Sequence, residues 1–150
     1  MVPGFDCLRI ALDTLITVDL TVVPSGFEIT GHGQNSLPRD TTNLVHRGMV
    51  RIFCELDKPV PEFHLTCHND VPLTRGLGSS SAALVGGLVA ANALCDSPLS
   101  NDDLLQIAAE IEGHPDNVTP ALLGGFQIAV NHQKRVITAP VPVPQNLVVV

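Results

Sequence analysis

The sequence predicts an α+β fold in two layers, with helices on one face of a mostly antiparallel sheet. Three observations carry this. Short runs rich in β-branched residues alternate between apolar and polar positions. Longer stretches between them repeat at helical spacing. The two kinds do not follow the strict βαβα rhythm of a parallel sheet. Residues 15–23 alternate and form the first strand, and Pro24-Ser25-Gly26 is a turn after which residues 27–30 return as a hairpin partner. Residues 31–40 are a polar loop. Thr42 or Asn43 caps a helix reaching about Glu55, with Leu44, Val45, Met49, Ile52 and Phe53 as its apolar face, and Asp57-Lys58-Pro59 ends it. Residues 63–69 are a strand with Phe63, Leu65 and Cys67 on one face and His64, Thr66 and His68 on the other. A helix follows over 82–94, and its Gly86 and Gly87 imply close packing on a sheet or another helix. Ser100, followed by Asn101, Asp102 and Asp103, caps a helix to about Ile111. Residues 120–123 make one helical turn, and strands 126–130 and 135–139 are joined by a polar turn at 131–134.

The chain of 150 residues suits one domain. Five Phe, no Trp and no Tyr leave no stacking platform for single-stranded nucleic acid, and a net charge of −7 opposes long polyanions. No apolar run reaches the roughly 20 residues that span a bilayer, so neither nucleic acid nor membrane is expected as a partner. The residues at the start lack the basic-then-apolar pattern of a secretion signal. Cys7, Cys54, Cys67 and Cys95 show no Cys-x-x-Cys spacing and read as reduced, mostly buried thiols of a cytoplasmic protein. The final residues 146–150 read as half of a buried strand, and the first residues start mid-motif, so a domain truncated at both ends is expected.

The strongest motif is Pro72-Leu73-Thr74-Arg75-Gly76-Leu77-Gly78-Ser79-Ser80-Ser81-Ala82. Two glycines and three serines precede a small, apolar helix. Free N–H groups and the positive dipole end at such a helix start suit a phosphate, and glycine permits the close approach. Serine hydroxyls can bond phosphate or a metal-bound oxygen. The motif is neither a Walker A loop, which needs a lysine, nor a dinucleotide fingerprint, since Ser81 replaces the third glycine. A capped helix entered by a tight turn is the plainer alternative.

A second cluster runs from Glu112-Gly113-His114-Pro115-Asp116-Asn117-Val118 to Gly125. It gathers a carboxylate, an imidazole and an amide in one turn, which suits the orientation of a small polar substrate. A bound phosphate needs its charge neutralised, and Mg2+, which would do so, prefers carboxylate and other oxygen ligands. Glu110 and Glu112, with a loop serine such as Ser79, are the candidate ligands. Asp116 is the adjacent carboxylate that could act as a base. Asn117 cannot take a proton at neutral pH but can hydrogen-bond. His64 and His68 stand four apart beside Cys67, but strand geometry turns Cys67 away and a zinc site is not expected.

The eleven-residue loop resembles the central motif of the GHMP kinases, and the Gly-His-Pro-Asp-Asn-Val turn resembles the homoserine-phosphorylating members. The resemblance covers most of the chain and implies the N-terminal ATP-binding domain of such a kinase, with the C-terminal domain missing. It implies ATP and Mg2+ as cofactors, L-homoserine as phosphoryl acceptor in threonine biosynthesis, and leaves room for a homodimer of the full-length protein. Residues 72–82 would hold the phosphates and Asn43 would approach the adenine. Glu110, ahead of Glu112, would hold the metal. His114, Asn117 and Asp6 would face the substrate, Asp6 near its ammonium group. The family usually has Ala at Thr119 and often Gly at Arg9. The upstream Asn of the first motif is absent. Another small-alcohol kinase of the group, or a non-catalytic nucleotide-binding module, are the rival readings. The 150 residues alone are expected to be nearly inactive and to expose apolar surface that would pack on a missing half.

Overall fold

The computed structural model describes residues 7–24 and 26–143. The expectations placed on Asp6 and on residues 146–150 therefore lie outside the described residues. Among the described residues, six strands and four helices follow in the order β1 (Leu8–Ile10), β2 (Ile16–Thr21), β3 (Gly26–Gly31), α1 (Leu44–Glu55), β4 (His64–Asn69), α2 (Ser79–Leu94), α3 (Asn101–Glu112), α4 (Val118–Leu123), β5 (Phe126–His132) and β6 (Arg135–Val141). The α+β class holds, but the strands divide into two three-stranded sheets, β2–β4–β3 and β1–β5–β6.

The expected hairpin of β2 with β3 does not form. β4 lies between them, antiparallel to β2 and parallel to β3. The reason is burial. Leu65, Cys67 and Asn69 of β4 are all nearly inaccessible, so β4 takes the central place with a partner on each edge. Phe27 then sits opposite Leu65 and Ile29 opposite Cys67, which extends one apolar face across the sheet. The alternation read from residues 63–69 is the alternation seen.

The main core lies between that sheet and the helices. Met49 and Ile52 of α1, Leu65 of β4, Leu84 and Leu88 of α2 and Leu105 of α3 are fully buried. Helices α1 and α2 touch through glycines. A Cβ on Gly87 would stand 2.1 Å from the Val45 carbonyl oxygen, and one on Gly48 would stand 2.6 Å from that of Leu84. Gly86 faces Val18 of β2 instead. The adjacent glycines thus serve a helix and a sheet.

Helix ends follow their caps. Asn43 accepts from the Val45 N–H to open α1, and Ser100 and Asp103 form a reciprocal capping box on α3. Helix α2 begins at Ser79, three residues earlier than expected, because Gly78 in the left-handed region (φ 74°) takes the cap position. The β5–β6 hairpin turns tightly at Gln133 and Lys134, both at positive φ. The short strand β1, not expected from the sequence, completes the second sheet by pairing Leu8 with Ile128. One face of this sheet packs inward through Ala129 and Val136. The other leaves Leu8, Ile128, Val130 and Ile137 between 37% and 51% exposed. No helix among the described residues is long and apolar enough to cross a membrane.

Candidate functional site

The loop at 72–78 runs from the end of β4 to the start of α2. Asn69, 2% exposed, ties the two ends together. Its Oδ1 accepts from the Val71 N–H at 2.9 Å, and its Nδ2 donates to the His32 carbonyl at 2.9 Å and to Ser79 Oγ at 3.4 Å. Thr74, Gly76 and Gly78 all have positive φ. Gly78 has no side chain with which to cap α2, so the helix presents first-turn N–H groups without a side-chain acceptor. The loop and Ser79 and Ser80 line a cavity of about 480 Å³, whose opposite wall includes Leu37, Pro38 and Asn43. A Cβ on Gly76 would meet nothing within 4 Å, so the backbone there is open to a ligand. These features fit a phosphate chain: backbone donors, a helix dipole and glycine surfaces facing one space.

Asn43 borders this cavity, but its amide is engaged at both ends. It accepts from Val45 N–H at 2.9 Å and donates to the Pro38 carbonyl at 2.8 Å. Its evident work is to cap α1 and fix the cavity wall. Ser81, expected as part of the loop, is 1% exposed. Its hydroxyl donates to Glu112 Oε1 at 2.9 Å. Ala82 lies on the far side of the loop, against a second cavity.

The two glutamates part company. Glu112 is half-buried and tethered to the first turn of α2 by Ser81. Glu110 is exposed and pairs with Arg51 at 3.2 Å, in an ion-pair group with Glu55. The preference for Glu110 as metal ligand finds no support in this placement. Residues two apart on a helix point about 200° apart, so only one can face the loop.

The turn after α3 begins at Gly113, at φ 90°. Asp116, 4% exposed, receives two donors. Arg9 Nη2 stands 2.8 Å from Oδ2, and His114 Nδ1 stands 2.5 Å from Oδ1. A carboxylate only accepts, so His114 Nδ1 is the donor in this contact. With both oxygens held, Asp116 is placed as an anchor for Arg9 and His114, and the geometry argues against it as a proton acceptor from substrate. Arg9 Nε also donates to Asn117 Oδ1 at 3.1 Å. Thr119 is fully buried and satisfies its hydroxyl by donating to the Pro115 carbonyl at 2.6 Å, which explains how Thr is tolerated there.

Asn117 borders both cavities, the one at the loop and a second of about 760 Å³ that reaches Arg9, Leu12, Thr14 and Val89. Gly76, Leu77 and Gly78 also line both, and a Cβ on Gly78 would come within 4.0 Å of Asn117 Oδ1. The glycine loop and Asn117 thus form the wall between two chambers. Sequence reasoning brought residues 72–80, Glu112, Asp116 and Asn117 to one place. It missed Asn69 as the tie across the loop. It also missed Arg9, whose partners are 107 and 108 residues away and which no local pattern marks. His64 and His68 lie on the solvent face of β4, beside Glu28 and Asp70 respectively.

Fold and site together define an α+β domain built round a glycine-rich helix start between two chambers. Residues 43–125 match the family described as the GHMP kinases N terminal domain. The chain belongs to that family. It is 48% identical over 150 residues to a homoserine kinase of Carboxydothermus hydrogenoformans, covering 99% of this chain and 49% of that protein. It is 47% identical to one of Desulfitobacterium hafniense over 90% of this chain and 46% of the relative. The crystal structure of a homoserine kinase from Cytophaga hutchinsonii superposes with a TM-score of 0.75 at 32% identity, over 95% of this chain and 48% of that one. The chain therefore spans about half the length of the relatives it matches.

Proposed function

We propose that the chain is the nucleotide-binding part of a kinase that transfers the terminal phosphoryl group of ATP to the hydroxyl of L-homoserine, giving O-phospho-L-homoserine for threonine synthesis. The observation that carries the reading is the start of α2: uncapped N–H groups behind Gly78, open to a cavity, with Glu112 held at the same helix end by Ser81. The names of relatives at 47% and 48% identity supply the acceptor.

In this reading, residues 72–80 cradle the phosphate chain and the apolar wall at Leu37 and Leu73 takes the base. Glu112, rather than Glu110, would hold Mg2+ together with a first-turn serine such as Ser79. When bound, the cation neutralises phosphate charge. The second chamber receives the acceptor, so its hydroxyl meets the phosphate at the shared wall. Asn117 borders the acceptor chamber, while His114 lines neither cavity and is linked to it through Asp116 and Arg9. No carboxylate is free there to act as base among the described residues, so the rate rests on alignment and charge stabilisation. The exposed apolar face of the β1–β5–β6 sheet is suited to a further domain, and the 150 residues alone are expected to turn over little.

The test is ATP-dependent phosphorylation of L-homoserine, with mevalonate and galactose as controls, on this chain and on a form extended to the length of its relatives. Turnover of homoserine alone supports the proposal. Preference for another alcohol redirects it within the family. Bound ATP without turnover in either form replaces it with a non-catalytic nucleotide-binding role.

A further inference from the structure

We propose that Arg9 is a positioning residue that fixes which end of the Asn117 amide faces the reacting groups, so that Asn117 acts as a hydrogen-bond donor at the wall between the two chambers. This rests on the kinase reading above. Arg9 lies on the inward side of β1, and its guanidinium spans two neighbours in the turn after α3. Nη2 meets Asp116 Oδ2 at 2.8 Å and Nε donates to Asn117 Oδ1 at 3.1 Å. A guanidinium has donors only. The amide end it meets must therefore be the oxygen, and a flipped amide would set N–H against N–H. The buried Asp116 carboxylate, itself held by His114, keeps the guanidinium in place. Among the described residues Asn117 Nδ2 has no partner, while its side chain borders both cavities.

The consequence is chemical. A fixed Nδ2 can donate to an oxygen of the transferring phosphoryl group or to the lone pair of the acceptor hydroxyl. It cannot receive the hydroxyl proton. The proton leaving the acceptor as the new O–P bond forms and the old one breaks then passes to a phosphate oxygen, which the substrate itself supplies.

Two experiments test this. In NMR spectra of the 150-residue chain, the Asn117 side-chain amide pair should shift in Arg9→Lys, and should shift in the wild type on adding ATP with Mg2+. A pair that moves in neither overturns the proposal, whether or not the protein proves to be a kinase. The second uses the longest form that turns over L-homoserine. Asn117→Asp keeps the size and the Arg9 contact but removes the donor, and should lower kcat by about 10²-fold, the usual loss for one preorganised donor. Arg9→Lys keeps a cation by Asp116 but loses the Nε bond, and should lower kcat about tenfold with KM for homoserine changed less than about threefold. Asn117→Asp that keeps or raises kcat would mean that the reaction wants an acceptor there, and the proposal fails. Arg9→Lys that lowers only thermal stability, with kcat per folded molecule unchanged, also overturns it. Absence of turnover in every form removes the kinase reading instead, and the NMR result then decides the amide orientation alone.

Discussion

Replacing Gly87 with alanine should destabilise the domain, although alanine is the better helix former. In an ordinary helix interior the exchange gains about 1 kcal/mol. Here the new Cβ would stand 2.1 Å from the Val45 oxygen, 2.8 Å from its carbonyl carbon and 3.0 Å from its Cα. All three are backbone atoms of α1, so no side chain can swing aside. Relief requires α1 and α2 to separate by about 1 Å, and a gap of that size forfeits a quarter to a half of the dispersion energy of each contact across it. Overpacking costs about 1–3 kcal/mol and sometimes more. A backbone clash this short belongs at or above the top of that range, leaving a net loss of about 2 kcal/mol. For a domain of this size that is about 4–8 °C in Tm. Gly86→Ala is the matched control. Its Cβ would meet only Val18 Cγ2 at 3.1 Å, the end of a side chain, and the propensity gain should leave it within about 0.5 kcal/mol of the wild type. Urea unfolding of the three proteins measures both. Equal midpoints for Gly86→Ala and Gly87→Ala would refute the claim that helix contact, rather than propensity, accounts for Gly87. Because α2 opens at the glycine-rich loop proposed to hold the phosphates, Gly87→Ala should on that reading also weaken ATP binding.

Other outcomes follow from the same geometry. On the proposed reading Glu112→Gln should reduce Mg2+-dependent ATP turnover by at least about 10–100-fold, the loss usual for a group that merely supports a metal ligand, whereas Glu110→Gln, which loses only an exposed pair with Arg51, should stay within about twofold; a Mg2+ titration of both variants decides it. His46 packs between Phe27 and Phe63, with ring centroids 5.7 and 5.3 Å away, and burial lowers its pKa against the weaker pull of Asp40. The unfolded chain then takes up a proton that the folded chain resists, so stability should fall as pH drops through about 6.5, and His46→Gln should flatten that part of a urea-midpoint profile. Burial, aided by Asp19, pushes the Cys67 thiol up to about 11. At pH 8 a thiol reagent should label exposed Cys54 promptly and Cys67 only on unfolding, as peptide mapping would show.

What the sequence revealed and what it hid divide along the range of the interactions. The glycine loop was legible because its signal is local: small residues, then a helix. The error of three residues at the start of α2 is local too, since Gly78 rather than a serine takes the cap. Gly86 and Gly87 announced close contact, but not that one would meet β2 and the other α1. Pairing was harder. Residues 16–21 and 26–31 carry strand patterns joined by a turn, which is what a hairpin looks like. Only the deeper burial of β4, a property of the finished core, inserts it between them. The choice between Glu110 and Glu112 had the same character. Helical spacing says that the two point apart, and the packing of α3 against α2 sets Glu112 beside Ser81 and Glu110 beside Arg51.

The turn at 113–117 shows why the site needed the fold to be seen. It is held from two sides by elements that share no sequence neighbourhood with it. Ser81 of α2 holds Glu112, the residue just before it, and Arg9 of β1 holds its aspartate and asparagine. The two tethers reach the turn from different elements, so losing one should displace its own end of the turn first. Glu112 would move relative to the phosphate loop, or Asn117 relative to the wall between the chambers. On the reading proposed above, changes at Glu112 and at Asn117, five positions apart, should therefore affect cation affinity and acceptor alignment separately.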